Sequence, residues 1–226
     1  MRNPSDIIGR AHISSQHRHG GAARRVADAL LAPLHLVLPV ALLMSISAAA
    51  YLYGDMPVKY FAGTAAQWIT PGHLLLPLTF LAIHITNRRY GAGFALAQVI
   101  GAWALGGAAL WYAGNDMAAF VTRTPPQARE IFAFGGALFV AQIFCVLVFD
   151  RTRGPRWWQA PLLASLWGAV LLCLIAFPAA YAGTNVDWVS HMLTYLGINV
   201  VMANAMVLPY WAIRGMVPPM SGFGGY

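Results

Sequence analysis

Charge is scarce in this sequence. Of 226 residues only 9% are Asp, Glu, Lys or Arg, while 59% are hydrophobic. A water-soluble domain carries about 25% charged residues. A fully hydrated surface is therefore excluded, and most of the surface must face lipid. The mean hydropathy of +0.60 agrees. Acids are especially few. The seven are Asp6, Asp28, Asp55, Asp116, Glu130, Asp150 and Asp187, and all fall in tails, loops or helix ends. Cysteine is rare as well. Cys145 and Cys173 each lie inside an apolar run, with no CxxC pair and no metal-ligand spacing, which predicts buried free thiols. The chain has no nucleophile–base pair and no glycine-rich phosphate loop, so neither enzyme chemistry nor ATP hydrolysis is expected. It also lacks the aromatic–basic repeats of a nucleic-acid module. A cleavable signal is not expected, because the first 25 residues are polar and basic with no apolar core.

What the chain does have is long apolar runs. A spanning helix needs about 20 mostly apolar residues. Six segments are read as spans: 28–53, 66–86 (interrupted by Pro71-Gly72 and Pro77), 91–113, 130–149, 158–182 and 191–213. The piece from Tyr60 to Ala66 is too short to cross and reads as a loop or interfacial turn. The expected organisation is a basic tail over 1–27, an all-α polytopic membrane domain over 28–213, and a short tail over 214–226.

The cations orient these spans. With the N-terminus inside, the cytoplasmic segments hold eleven: Arg2, Arg10, Arg18, Arg24, Arg25, Arg88, Arg89, Arg151, Arg153, Arg156 and Arg214. The outer loops hold three, Lys59, Arg123 and Arg129. The positive-inside rule then places both termini in the cytoplasm of a plasma or inner membrane. The net charge of +7 reads as topology and contact with anionic lipid heads. Trp68, Trp111, Trp157, Trp158, Trp188 and Trp211 lie near span ends, where an aromatic belt belongs.

Few polar groups remain at depth: His35, His84, Gln142, Asn199 and Asn204. Such residues are costly in lipid and are the first place to look for function. Gln142 offers two donors and an acceptor, suited to the edge of a purine-like base. Gly135, Leu138, Gln142, Cys145 and Phe149 share a helix face by their spacing. A flat ligand could lie over Gly135 between Phe and Trp rings. Asn199 is expected to face a cavity and Asn204 to serve packing. Ala102 with Gly106, and Gly135-Gly136, suit close helix approach. Pro77 frees a carbonyl inside the second span, to be satisfied where helices pack or line a cavity.

Several motifs occur together: Pro77-x-x-Phe80, Thr86-Asn87-Arg88-x-Tyr90-Gly91, Arg129, Ala141-Gln142, Phe149-Asp150-Arg151-x-Arg153 and Trp157-Trp158-x-Ala160-Pro161. In order and spacing they resemble the vitamin uptake transporter family, the queuosine precursor transporters, over roughly Gly72 to Tyr210. The resemblance implies import of a small planar nucleobase-like molecule, with substrate contacts at Phe80, His84, Asn87, Arg88, Gln142 and Asn199 and no cofactor. The chain departs from the family at its intramembrane acids. His84 and Cys145 stand where the family has aspartates, Phe134 where it has a serine, and Tyr195 and Asn199 where it has an aspartate and a lysine. Those losses point to a different substrate, a changed coupling ion or no transport at all. His84 is then the expected source of any pH dependence between roughly pH 5 and 8. The expected partners are a small-molecule substrate and the bilayer, with no nucleic acid. The alternative is a non-transporting membrane subunit, structural or holding haem between His35 and His84.

The eleven-to-three cation split makes topology testable. A cysteine introduced at Gly154 should react with an impermeant thiol reagent only from the cytoplasmic side. One at Ala118 should react only from outside. The reverse labelling would invert the assignment.

Overall fold

A computed structural model describes residues 35–54, 57–113 and 128–219. The basic tail over 1–27, the loop carrying Asp116 and Arg123, and residues 220–226 lie outside the described residues. The chain divides into two units, 1–38 and 39–226, and the helix bundle belongs to the second.

The protein is an all-α polytopic membrane protein, with no strand among the described residues. Among the described residues the long helices are α1 (His35–Leu52), α2 (Pro71–Tyr90), α3 (Ala92–Ala113), α4 (Ala128–Arg151), α5 (Gln159–Tyr181) and α6 (Trp188–Arg214). All but α2 contain a stretch long and apolar enough to cross a membrane. The expectation that the second segment qualifies on composition is corrected: its polar residues hold its hydropathy too low. At 20 residues it is nonetheless about 30 Å long, the thickness of a hydrocarbon core. Neighbours shield it, because α2 packs against α3, α4, α5 and α6.

The boundaries of α2 also differ from the expected 66–86. Pro71 does not interrupt the helix but starts it, at a position whose missing N–H has no intrahelical role. Thr70 caps this end. Its hydroxyl accepts from the His73 backbone N–H at 3.3 Å, and the Thr70 N–H donates back to His73 Nδ1 at 3.2 Å. At the other end Gly91 has φ 86°, a conformation that favours glycine, and its N–H closes on the Asn87 carbonyl at 2.9 Å. The short segment after α1 forms no long helix, as its length suggested. It contains a 3-10 turn at Lys59–Phe61 and folds back through Val58 N–H to Ile69 O at 2.8 Å.

Proline and chain ends leave backbone carbonyls that lipid cannot satisfy. Pro77 removes the donor that would reach the carbonyl of His73, four residues earlier. As the sequence suggested, another helix supplies a replacement: the Tyr195 hydroxyl of α6 donates to His73 O at a long 3.5 Å. At the end of α5, Arg129 from the first turn of α4 donates to Ala179 O and Ala182 O, both at 2.8 Å. These are the last, otherwise orphaned carbonyls of the helix.

The core is one cluster of mostly small and aromatic side chains from α2, α4, α5 and α6, with Ile69 of the loop added. The α4–α5 pairing is the most extensive helix contact. Cys145 and Cys173 are free and buried, as their setting suggested.

Gly72 shows how tightly α1 meets α2. A Cβ there would collide with the Ala50 carbonyl and would stand 3.0 Å from Gly54 Cα and N. Gly72 N–H already donates to Tyr53 O at 3.1 Å. Gly72→Ala should therefore destabilise the protein by about 1–3 kcal/mol through backbone displacement. Thermal unfolding of the purified protein in detergent reads this as a lowered midpoint. An unchanged midpoint would mean that the turn yields freely.

Candidate functional site

The buried polar side chains fall into three groups along the bundle. The first joins α3 to α4. Gln142 is 0% exposed, and Trp103 Nε1–H donates to its Oε1 at 2.7 Å. That bond fixes the amide's orientation, because a flipped amide would set a donor against a donor. The Nε2 group of Gln142 is left buried with no partner. Two unmet N–H bonds at such depth are expensive. Gly135, expected to lie under a flat ligand, instead lies under the Trp103 ring. A Cβ there would stand 3.7 Å from the indole. The predicted shared face of α4 is confirmed as an inward face, with Leu138, Gln142, Cys145 and Phe149 all buried.

The second group lies toward the α2 C-terminus. His84 is 1% exposed, and its Nε2 lies 2.9 Å from Ser165 Oγ of α5. Its ring stacks on Phe149 with centroids 5.0 Å apart, and the Cys145 sulfur is 3.9 Å from both ring nitrogens. The guanidinium of Arg153 lies over the same Phe149 ring at 5.2 Å. Asn87 is fully engaged. Its amide donates to Val146 O at 3.1 Å, and its side-chain and backbone oxygens both accept from Arg153 at 2.6 Å. Arg153 also pairs with Asp150 at 3.1 Å. Partial burial pulls the Arg153 guanidinium below its ordinary range, opposed by the Asp150 carboxylate; it stays charged at any physiological pH. Arg88 donates to Val217 O at 3.1 Å, which fastens the segment after α6 to α2.

The third group lies at the opposite end. Trp68, from the loop before α2, sits against His73, His191, Tyr195 and Phe177, with centroids 4.9 to 6.2 Å away. Its Nε1 is buried without a partner. Asn199 is 2% exposed, and its amide donates to Tyr195 O at 2.9 Å, one turn back on its own helix.

The six residues expected to contact substrate are thus distributed along the bundle. His84 and Asn87 both meet α4, His84 at Cys145 and Phe149 and Asn87 at the Val146 carbonyl, with Arg88 next to Asn87. Gln142 is one turn along α4 from Cys145 but turns to α3. Phe80 packs against α5, where a Cβ at Gly168 would stand 3.3 Å from its ring. Asn199 belongs with the Trp68 group. Among the described residues, no hydrogen bond joins Gln142, His84 and Asn199. His35 is the exposed first residue of α1. Asn204, expected to serve packing, is exposed and bonds only to Val200 O of its own helix at 2.8 Å.

Sequence reasoning missed Gln98, Trp103 and Ser165. Gln98 is 0% exposed, donates to Pro39 O at 2.9 Å and keeps Oε1 unpartnered. Its signal, an amide inside an apolar run, was the same as that of Gln142. Ser165 gave no signal, because a serine in an apolar helix commonly bonds its own backbone. Among the described residues the carboxylates are Glu130, Asp150 and Asp187, all at helix ends or the N-cap of α6. No group of three or more potential metal ligands occurs among them.

No family model, no curated protein and no solved structure matches this chain.

The Trp103–Gln142 bond is a short side-chain link between α3 and α4, at 2.7 Å. Trp103→Phe keeps an aromatic ring, though a smaller one, but strands Gln142 Oε1, and should cost at least about 1 kcal/mol. Ser165→Ala should act similarly on His84. Detergent melting curves of both variants check this, and two wild-type curves would show that relaxation replaces the lost bonds.

Proposed function

We propose that this protein is a transporter that imports a small, neutral, planar heterocycle of nucleobase type across the plasma or inner membrane, with Gln142 as the polar contact at mid-membrane. The observation that carries the reading is the Gln142 amide. It is fully buried, held in one orientation by Trp103, and presents Nε2 donors with no partner. A ring nitrogen or carbonyl of a heterocycle is a matching acceptor. The indole of Trp103 and the ring of Phe139, 5.7 Å apart by centroid, supply flat apolar surface beside it. The motif resemblance supports the same substrate class and the direction of import, and the cation split supports the topology. What favours a neutral ligand is the lack of any described carboxylate away from the helix ends. A buried cation without a counter-charge costs several kcal/mol.

A coupling role for His84 needs a route for protons from water to its ring. The ring is enclosed by Ser165, Cys145 and Phe149, so such a route requires the helices to part. No observation favours the haem alternative: the His84 ring is closed in by Ser165, Cys145 and Phe149, and His35 is exposed at the start of α1.

The test is ligand-dependent thermal stabilisation and competition binding with purified protein. A neutral cyano-substituted deazaguanine or a plain purine should bind more tightly than an aminomethyl deazaguanine. Gln142→Leu should weaken the neutral ligand by roughly 1–3 kcal/mol. Tighter binding of the amine, or equal binding by the variant, would reduce Gln142 to a packing contact and remove the basis of the proposal.

A further inference from the structure

On the outward side of α4 and α5 lies a groove of about 510 Å³ that none of the preceding groups uses. Its walls are Phe144, Leu147, Val148 and Trp167, and its mouth is formed by Arg151 and Thr152. Phe144, Leu147, Val148 and Arg151 are spaced to fall on one face of α4. Leu147 and Trp167 are 48% and 54% exposed, so this face looks away from the bundle. In a membrane protein that means toward lipid.

Polarity along the groove is ordered. Arg151 is the last residue of α4, at its interfacial end. Phe144 lies seven residues deeper, about 10 Å at the helical rise. Trp167 lies eight residues into α5 from Gln159, at comparable depth. The groove is thus cationic at the membrane surface and apolar toward the interior. The neighbouring acid does not neutralise it. Asp150 pairs with Arg153 at 3.1 Å. The Thr152 hydroxyl donates to Val148 O at 2.7 Å, which leaves its oxygen lone pairs and methyl group at the mouth.

We propose that this groove is a binding site for one anionic phospholipid. Its phosphate sits on Arg151, and an acyl chain lies along Phe144, Leu147 and Val148 against Trp167. A soluble anion would have no use for the apolar wall, and a neutral lipid would have none for the arginine. Basic pockets between membrane helices hold anionic headgroups by this combination. The proposal depends only on the placement of α4 and α5 in a membrane, not on the transport reading.

Native mass spectrometry of the full chain, released from detergent after equilibration with phosphatidylglycerol or phosphatidylcholine, tests it. One phosphatidylglycerol should be retained over phosphatidylcholine by at least about fivefold. Arg151→Gln should lose that preference by a similar factor. Leu147→Trp, which fills the groove from an exposed position, should expel the lipid without removing any charge. Arg89→Gln, on the exposed end of α2, should retain it. Equal retention of both lipids by the wild type would overturn the proposal. So would retention unchanged in both Arg151→Gln and Leu147→Trp, loss in Arg89→Gln as large as in Arg151→Gln, or full displacement of the lipid by millimolar inorganic phosphate.

Discussion

The rest of this structure depends on one constraint: α2 is too polar to meet lipid, so other helices must surround it. Thr79, His84, Thr86 and Asn87 are all buried within it. Each would be costly against hydrocarbon and is tolerable against protein partners. Thr79 and Thr86 bond carbonyls of α2 itself, and the surrounding chain supplies partners for His84 and Asn87. The Ser165 hydroxyl, the Val146 carbonyl and the Arg153 guanidinium each come from another part of the chain and meet one polar group of α2. The bundle is in this sense arranged around its least hydrophobic member.

The same logic extends to the backbone. Inside a membrane no water is present to take up a carbonyl freed by proline or a helix end. Tyr195 answers the carbonyl left by Pro77, and Arg129 answers the last carbonyls of α5. Gly72 and Gly168 let backbone and ring approach where a side chain would intrude. The unmet groups then stand out. Gln142 Nε2, Gln98 Oε1 and Trp68 Nε1 are buried polar atoms without partners in a chain that otherwise satisfies such groups. In native proteins such atoms are few, and each calls for a ligand, a water or another conformation.

Function and membrane setting divide between the two sides of α4. Its inward face carries Gln142, Cys145 and Phe149 and belongs to the polar interior. Its outward face carries Phe144, Leu147, Val148 and Arg151 and belongs to the bilayer. Substitutions on the two faces therefore separate effects on the polar interior from effects on the lipid-facing surface.

The all-helical membrane class followed from the sequence alone, because hydropathy and length depend on local composition. The spans of α3, α4, α5 and α6 were legible to within a few residues for the same reason. So was the need for a partner at the carbonyl freed by Pro77, which is a property of proline wherever it stands in a helix. The start of α2 was misplaced by five residues, because Thr70 and His73 form a cap whose signal was outweighed by the apolar run around it. Buried amides announced themselves at Gln142, yet the sequence could not say that Trp103 occupies one side of it or that Phe80 meets α5 rather than a cavity. It assigned Asn199 to a cavity and Asn204 to packing, yet Asn199 is buried against its own helix and Asn204 is exposed. Those outcomes depend on which helix lies beside which, through contacts between residues far apart in the chain. Periodicity and composition describe one helix at a time, and only the packed bundle decides which of its polar groups find partners.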